Sequence, residues 1–356
     1  MNDDSRKIED SRRRLEDPIP AVFAVTMQGK PNRLSFLRAP EWGLMLGIVV
    51  VLGAIYFLDP SRSFFSEYSL RTLVHKTALF GVLSLGAALV IIAGGIDLSV
   101  GAVVAVSAVV SARLLTEWLP GLPPPGDPLP ILHVAAAVAI TLGLGLLIGL
   151  DHAVMINYFH LPPFIATLAN MAALRSVAIL ISKNKSINVT SPTFRVLGSD
   201  NSYTVPIFVS VAIAASVMMG MTVLGRHLYA LGGNESAARL SGLKTKRLKA
   251  VAYGLSGMLS ALGGLLFTGN TGQAQATMGA SYELYAITAA VVGGCSLSGG
   301  VGSIRGTVLG LILIQIVIKG TGIVVRSVDS TQIEGLVLGT VVVLAVAFNQ
   351  MFRKRA

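Results

Sequence analysis

The chemically most distinctive residue of the sequence is Asp97, a carboxylate set between two long apolar runs in the stretch GGIDLSVG at residues 94–101. A carboxylate at the centre of a bilayer costs about 2.5–3.5 kcal/mol on insertion scales, so such a residue usually has a function. Glycine pairs let the backbone leave helical geometry, and irregular backbone at membrane depth persists only inside protein or beside a water-filled cavity. We therefore expect a helix break inside the protein, formed by Gly94, Gly95, Asp97, Ser99 and Gly101.

Two roles for Asp97 are compatible with this pattern. The carboxylate could cap the helix that begins near Leu98 and Ser99, because the first turn of a helix leaves amide hydrogens without a partner. It could instead couple proton or sodium movement to transport, as intramembrane carboxylates do in many transporters. In the first role the carboxylate stabilises the fold, whereas in the second role it binds and releases an ion.

A second glycine-rich stretch, GGCSLSGG at residues 293–300, repeats the GGxxLSxG form of the first. An apolar run follows each copy, and transporter folds often contain internal repeats whose interrupted helices surround the substrate. We expect a second helix break here, with Gly293, Gly294, Ser298 and Gly300 as its main residues. The sequence does not decide whether the two copies are parallel or inverted.

A third informative segment is LGGNESAARLSGL at residues 231–243, inside a basic region. Its small residues lie at positions i, i+1 and i+5, which predicts a flat helical face that could enter a groove on a partner, with basic residues beside it for an acidic rim or lipid head groups. A solvated positive loop without a partner is the simpler alternative. The residues assigned to this predicted docking segment are Gly232, Asn234, Glu235, Ala237, Ala238, Arg239 and Gly242.

The composition indicates the elements that must position these segments. The chain has 356 residues, of which 53% are hydrophobic and 13% charged, whereas soluble domains have about 25% charged residues. We predict an all-α integral membrane protein with about ten transmembrane helices and glycine-rich broken or re-entrant segments. The predicted spans are 42–58, 72–93, 96–115, 131–150, 162–182, 205–224, 249–269, 284–295, 301–320 and 333–350. The span 284–295 is short, so it either crosses the membrane or is re-entrant.

The distribution of Lys and Arg predicts the topology. Eight lie in the first 41 residues, six between Arg226 and Lys249, and three at 353–355, and such clusters mark the cytosolic side. We therefore predict a polar cytosolic tail at 1–41, a transmembrane domain at 42–350 with a cytosolic loop at 225–249, and a basic cytosolic tail at 351–356. Lys183, Lys185 and Arg195 fit this assignment less well, because it places them outside. The net charge of the chain is +10, but its basic residues flank apolar segments, so we expect no nucleic-acid partner.

Several motifs that would indicate an enzyme are missing from the sequence. LSGG at 297–300 is flanked by apolar runs, and the chain has no G-x-x-x-x-G-K-S/T phosphate-binding loop. The five histidines lack metal-ligand spacing, and no serine lies in a G-x-S-x-G turn. We expect no metal site and no ATPase site in this chain.

The three segments in this order resemble the ribose-type, monosaccharide-transporting branch of the ABC-importer permeases, over about residues 42–350. In that family the Ala-Ala-x-x-x-Gly core, here 237–242, is a short coupling helix, although Ser236 stands where an acid is usual. The resemblance implies import of a ribose-like pentose or a hexose across the inner membrane by alternating access. It also implies a second permease subunit, an ATPase subunit that holds ATP and Mg²⁺, an extracytoplasmic solute-binding protein and surrounding lipid, with no cofactor in this chain.

A neutral sugar needs hydrogen-bonding side chains and an aromatic or apolar face along its path. The candidates are Asn157, Asn170, Gln273, Glu283 and Gln315, with Gln275, Tyr282 and Tyr285 as further ones. Two rival functions stay open. One is an ABC permease for a nucleoside or a branched-chain amino acid, and the other is an ion-coupled secondary transporter that uses Asp97.

Overall fold

The structure is a computed structural model, and it describes residues 40–324, 334–340 and 343. The chain is helical almost throughout this part. Its helices are α1 (Pro40–Leu58), α2 (Glu67–Ile92), α3 (Val100–Arg113), α4 (Ile131–Tyr158), α5 (Pro163–Ser182), α6 (Pro192–Ser199), α7 (Asn201–Met221), α8 (Val223–Gly233), α9 (Glu235–Leu240), α10 (Thr245–Thr271), α11 (Tyr282–Val292) and α12 (Ile304–Val324). A 3₁₀ turn (Ser63–Phe65) precedes α2, a π-helical turn (Leu114–Trp118) extends α3, and residues 334–340 are also helical.

Eight of the helices are long and apolar enough to cross a membrane: α1, α2, α3 with its extension, α4, α5, α7, α10 and α12. The predicted span 284–295 is α11, whose 11 residues extend over about 16 Å, roughly half of a hydrocarbon core of about 30 Å. Helix α11 is by itself too short to span the membrane, and the prediction of an all-α membrane fold is confirmed.

The ends of the predicted domains fall partly outside the described residues. Helix α1 begins at Pro40, two residues before the predicted start of the membrane domain. Residues 1–39, most of the predicted span 333–350 and the basic tail 351–356 lie outside the described part of the chain. The predicted coupling loop 225–249 contains most of α8, all of α9 and the start of α10.

A short two-stranded ladder marks one side of the helix bundle, which we call the ladder side. Strand β1 (Ile187–Asn188) pairs antiparallel with β2 (Gln273–Ala274). The guanidinium of Arg195 lies close to Gly272. Residues 183–195 and the loop at 271–282 therefore share one side of the bundle, as the topology predicted from Lys and Arg requires.

Helices α2 and α10 form the centre of the bundle. Every residue of α2 from Thr77 to Ile92 is buried, and α10 packs against α2, α3 and α4. Burial on all sides explains why α2 is apolar around its whole circumference rather than along one stripe.

The contact between α4 and α10 depends on glycines. A Cβ atom at Gly149 would lie 2.1 Å from the Tyr253 carbonyl oxygen, and one at Gly145 would lie 2.4 Å from the Gly257 carbonyl oxygen. Gly145 and Gly149 form a GxxxG pair, the pattern that lets helix backbones approach closely within membranes.

We expect Gly149→Leu to destabilise the protein by about 1–3 kcal/mol, because the larger side chain must separate α4 from α10. The matched control is Gly143→Leu on the same helix, where nothing lies within 4 Å of the Cβ position. Thermal unfolding of the two purified variants in detergent micelles compares them directly. Equal midpoints would contradict the close contact.

Candidate functional site

The first glycine-rich stretch breaks the chain between α2 and α3. Helix α2 ends at Ile92, and Gly94 adopts a left-handed φ of 84°. The amide of Gly94 donates to the Ile91 carbonyl and that of Gly95 to the Val90 carbonyl, both at 2.9 Å. This pair of bonds is a Schellman cap, which requires a residue such as glycine at the left-handed position. Helix α3 then begins at Val100.

The second glycine-rich stretch repeats this cap. Helix α11 ends at Val292, and Gly294 has a φ of 92°. The amide of Gly294 donates to the Val291 carbonyl and that of Cys295 to the Ala290 carbonyl, again at 2.9 Å. The two motifs are therefore alike in structure as well as in sequence. The second break is longer, because α12 begins only at Ile304.

Both breaks meet the end of α8 at Gly232. The Gly300 amide donates to the Ile92 carbonyl at 2.9 Å. A Cβ atom at Gly232 would lie 1.9 Å from that carbonyl oxygen and 2.5 Å from the Gly300 nitrogen, and one at Gly299 would lie 2.7 Å from the Gly94 Cα. Three backbone segments thus touch without intervening side chains. Since α2 and α11 both end here, the two motif copies run in the same direction.

The predicted docking segment begins directly after this contact, and we call its side of the bundle the coupling side. Helix α9 starts after Asn234, whose side-chain oxygen accepts the Ala237 amide at 3.0 Å. The Glu235 carboxylate pairs with the Lys249 ammonium at 2.7 Å. This ion pair ties the first turn of α9 to α10.

One prediction for this segment is wrong. Helix α9 ends at Leu240, and Gly242 lies beyond it with a φ of 84° in a further Schellman cap. Ala238 is buried, whereas Ala237 is exposed. Ala237, Ala238 and Gly242 therefore do not share one flat face, because the helix stops and its two alanines face different surroundings.

Sequence reasoning missed Leu240, the last residue of α9, whose exposed fraction is 88%. It lies beside Arg239, which is also exposed. An apolar side chain at the tip of a short exposed helix is suited to bind in a hydrophobic groove. In the sequence, the signal for Leu240 was its position between two polar residues of a basic segment.

The carboxylate of Asp97 is buried and fully engaged by hydroxyl and amide groups. One oxygen accepts the Ser99 amide at 2.9 Å and the Ser99 hydroxyl at 2.6 Å, and the other accepts the Ser256 hydroxyl at 2.8 Å. Ser99 is the residue before the first turn of α3. The geometry therefore favours a structural role over ion coupling. The carboxylate holds the residue before α3 rather than an amide of its first turn, and Ser256 on α10, 159 residues away in sequence, is an additional partner.

A cavity of about 340 Å³ lies on the coupling side of the bundle. Both breaks and the first turn of α9 contribute to its wall, so it lies where movement of α9 would act. The lining residues are Ala93, Gly94, Gly95, Ile156, Pro163, Leu231, Gly232, Gly233, Asn234, Glu235, Lys249, Tyr253 and Ser298.

The five predicted substrate-path residues do not form one site. The Asn157 side chain donates to the Lys246 carbonyl at 3.0 Å, which ties α4 to α10 on the coupling side. The Asn170 side chain donates to the Asp151 carboxylate at 2.8 Å. Gln315 is buried on α12. These three side chains lie in different parts of the structure.

The remaining two candidates belong to the segment that leads into α11. Gln273 is on β2, and Glu283 is in the first turn of α11. A Cβ atom at Gly101 would lie 2.5 Å from a Glu283 carboxylate oxygen and 2.0 Å from the Gly279 carbonyl oxygen. The start of α3, which follows the first break, therefore packs against the loop that precedes α11.

Long apolar helices around two glycine breaks, connected to a short exposed helix, define a multi-pass membrane permease. A family profile described as "Branched-chain amino acid transport system / permease component" matches residues 69–346. The chain belongs to this family.

Curated relatives cover most of the chain. The ribose import permease protein of Escherichia coli is 32% identical over 332 residues, which is 90% of this chain and 98% of the relative. The ribose import permease protein of Bacillus subtilis is 34% identical over 311 residues, 85% of this chain and 91% of the relative. The galactose/methyl galactoside import permease protein of Salmonella typhimurium is 30% identical over 332 residues, 90% of this chain and 97% of the relative. No solved structure matches the chain.

Proposed function

We propose that this chain is the transmembrane permease subunit of an ABC importer that carries a monosaccharide across the inner membrane. The cargo is inferred from the relatives, which are named as import permeases for ribose and for galactose or methyl galactoside. The observation that carries the mechanism is the contact of Gly232 with both helix breaks.

That contact supports alternating access driven from α9. Closure of an ATPase pair against α9 would move the Gly232 backbone, and this backbone abuts Ile92 at the first break and Gly300 at the second. Because close-packed backbone cannot be compressed, the displacement passes to the ends of α2 and α11. ATP and Mg²⁺ belong to the partner ATPase, and this chain holds no cofactor and is not itself an enzyme.

The assembly follows from the same proposal. A second permease subunit, identical or different, completes the path, and an extracytoplasmic solute-binding protein delivers the sugar to the ladder side. The coupling side is cytosolic, since six Lys and Arg residues lie between Arg226 and Lys249. Both chain termini are placed in the cytosol by the same rule, and lipid surrounds the outer helices.

A branched-chain amino acid is the second candidate cargo, because the family description names that class. The sugar is favoured by the named relatives, which cover 85–90% of this chain.

The test is uptake into proteoliposomes by the chain alone and by the chain with its ATPase and binding protein. The panel contains pentoses, hexoses, nucleosides and branched-chain amino acids. We expect ATP-dependent sugar uptake only with all components, since the permease has no phosphate-binding loop of its own. Uptake by the isolated chain in an ion gradient would overturn the proposal.

A further inference from the structure

We propose that the cavity at the start of α11 is a binding site for a neutral, polyhydroxylated solute on the ladder-side half of the path. The cavity has a volume of about 350 Å³. Its lining residues are Thr271, Gln273, Gln275, Thr277, Met278, Gly279, Ala280 and Tyr282. This inference rests on the proposed function and adds to it the place and the chemistry of cargo recognition.

The lining selects for uncharged hydroxyl groups. It offers the amides of Gln273 and Gln275 together with three hydroxyl-bearing side chains, so each polar group can either donate or accept. The described residues of this wall carry no formal charge. A zwitterionic amino acid bound here would find no charged partner among these lining residues for its carboxylate and ammonium, which is costly. The site therefore favours a sugar over a branched-chain amino acid.

The loop that forms the wall is held in place before any ligand arrives. The Arg175 guanidinium donates to the Ala276 carbonyl at 2.8 Å and to the Met278 carbonyl at 2.7 Å. On the other side of the loop, the Val189 amide donates to the Gly272 carbonyl at 2.8 Å, next to the β1–β2 pair. A wall fixed in this way loses little conformational entropy when it binds a solute.

Tyr282 supplies an aromatic surface whose position is fixed by its neighbours. Its ring centroid lies 4.8 Å from that of Phe80 and 4.7 Å from that of Phe267, and Phe80 also stacks on Tyr285 at 4.4 Å. An aromatic ring gives the apolar face of a sugar ring a surface to pack against.

The position of Phe80 places the Tyr282 wall of the cavity level with the middle of α2. Phe80 lies 13 residues from the start and 12 from the end of α2 (Glu67–Ile92), and Tyr282 at the start of α11 packs on it. Substrate sites of transporters are commonly found near the bilayer midplane, beside the ends of discontinuous helices. Gly279 of the cavity wall also abuts Gly101 at the start of α3, directly after the first break.

The experiment measures ribose uptake and binding-protein-stimulated ATPase activity of the assembled importer in proteoliposomes. For Gln273→Ala combined with Gln275→Ala we expect uptake to fall about tenfold, because two amide contacts to the cargo are lost. Stimulated ATPase activity should stay at the native level. The matched control is Asn188→Ala, an exposed amide on the paired strand that does not line the cavity.

A labelling measurement covers the case in which the double variant fails to assemble. The sequence contains one cysteine, Cys295, and it is buried, so Gln275→Cys creates the reactive thiol. Ribose should slow its modification by a membrane-impermeant maleimide, whereas leucine should not.

Different outcomes identify which proposal fails. If the native assembly transports no sugar, the proposed function is wrong, and the proposed binding site is wrong as well. If the native assembly moves sugar and the double variant matches it, or if ribose gives no protection, only the site is wrong. A parallel fall in uptake and stimulated ATPase activity would make the cavity a docking surface for the binding protein and would also overturn the site.

Discussion

Gly232→Ala should reduce ATP-dependent uptake at least about tenfold, whereas Gly233→Ala should leave it within about twofold of the native rate. A methyl group at Gly232 would lie 1.9 Å from the Ile92 carbonyl oxygen, so backbone has to move. At Gly233 nothing lies within 4 Å of the Cβ position. Both residues belong to the end of α8, where alanine itself is well tolerated by a helix.

The comparison is made in proteoliposomes that contain the full importer, with ATPase activity recorded alongside uptake. We expect Gly232→Ala to hydrolyse ATP without matching uptake, because the added methyl group separates α8 from the two breaks. Native coupling in Gly232→Ala would show that transmission does not pass through this contact. Equal losses in both variants would point to a general effect of alanine at the end of α8.

Asp97→Ala should be severely defective, and Asp97→Asn should retain uptake within about threefold of the native rate. Alanine leaves the Ser99 amide and the Ser256 hydroxyl buried without the acceptor they now share, at a cost of about 1–3 kcal/mol each. Asparagine keeps one oxygen for the Ser99 amide, and its NH₂ group can donate to the Ser256 hydroxyl oxygen. Thermal unfolding in detergent and ATP-dependent uptake measure the two effects separately.

The same pair of variants distinguishes the two roles of this carboxylate. A coupling carboxylate must bind and release an ion, which asparagine cannot do. An inactive Asp97→Asn protein with a native unfolding midpoint would therefore contradict the structural role and restore the ion-coupled alternative.

Local signals in the sequence were sufficient to locate the breaks. A carboxylate and glycine pairs between apolar runs identified the stretch at 94–101, and the repeated pattern identified the stretch at 293–300. The shortness of the run at 284–295 indicated a helix too short to span the membrane by itself, and α11 has only 11 residues. In each case the signal comes from a few residues that are neighbours in the sequence.

What depends on distant contacts was not predictable in this way. Gly232 and Ile92 touch although 140 positions separate them, and nothing in either neighbourhood indicates the other. Ser256 is one of many serines until the fold brings it to Asp97. The error at Gly242 was avoidable, because a glycine after a short helical run commonly ends the helix. The substrate-path candidates were chosen by side-chain type. The type of a side chain does not indicate how deep in the membrane the residue lies or which way the side chain points.

The 11 residues of α11 also affect how well the membrane is sealed. Because α11 covers only about 16 Å of a hydrocarbon core of about 30 Å, the loop before it occupies part of the remaining depth, and the packing of that loop has to exclude water and ions. The close backbone contact between Gly101 and Gly279, with the Glu283 carboxylate beside it, is then expected to contribute to the seal against leakage of ions across the membrane.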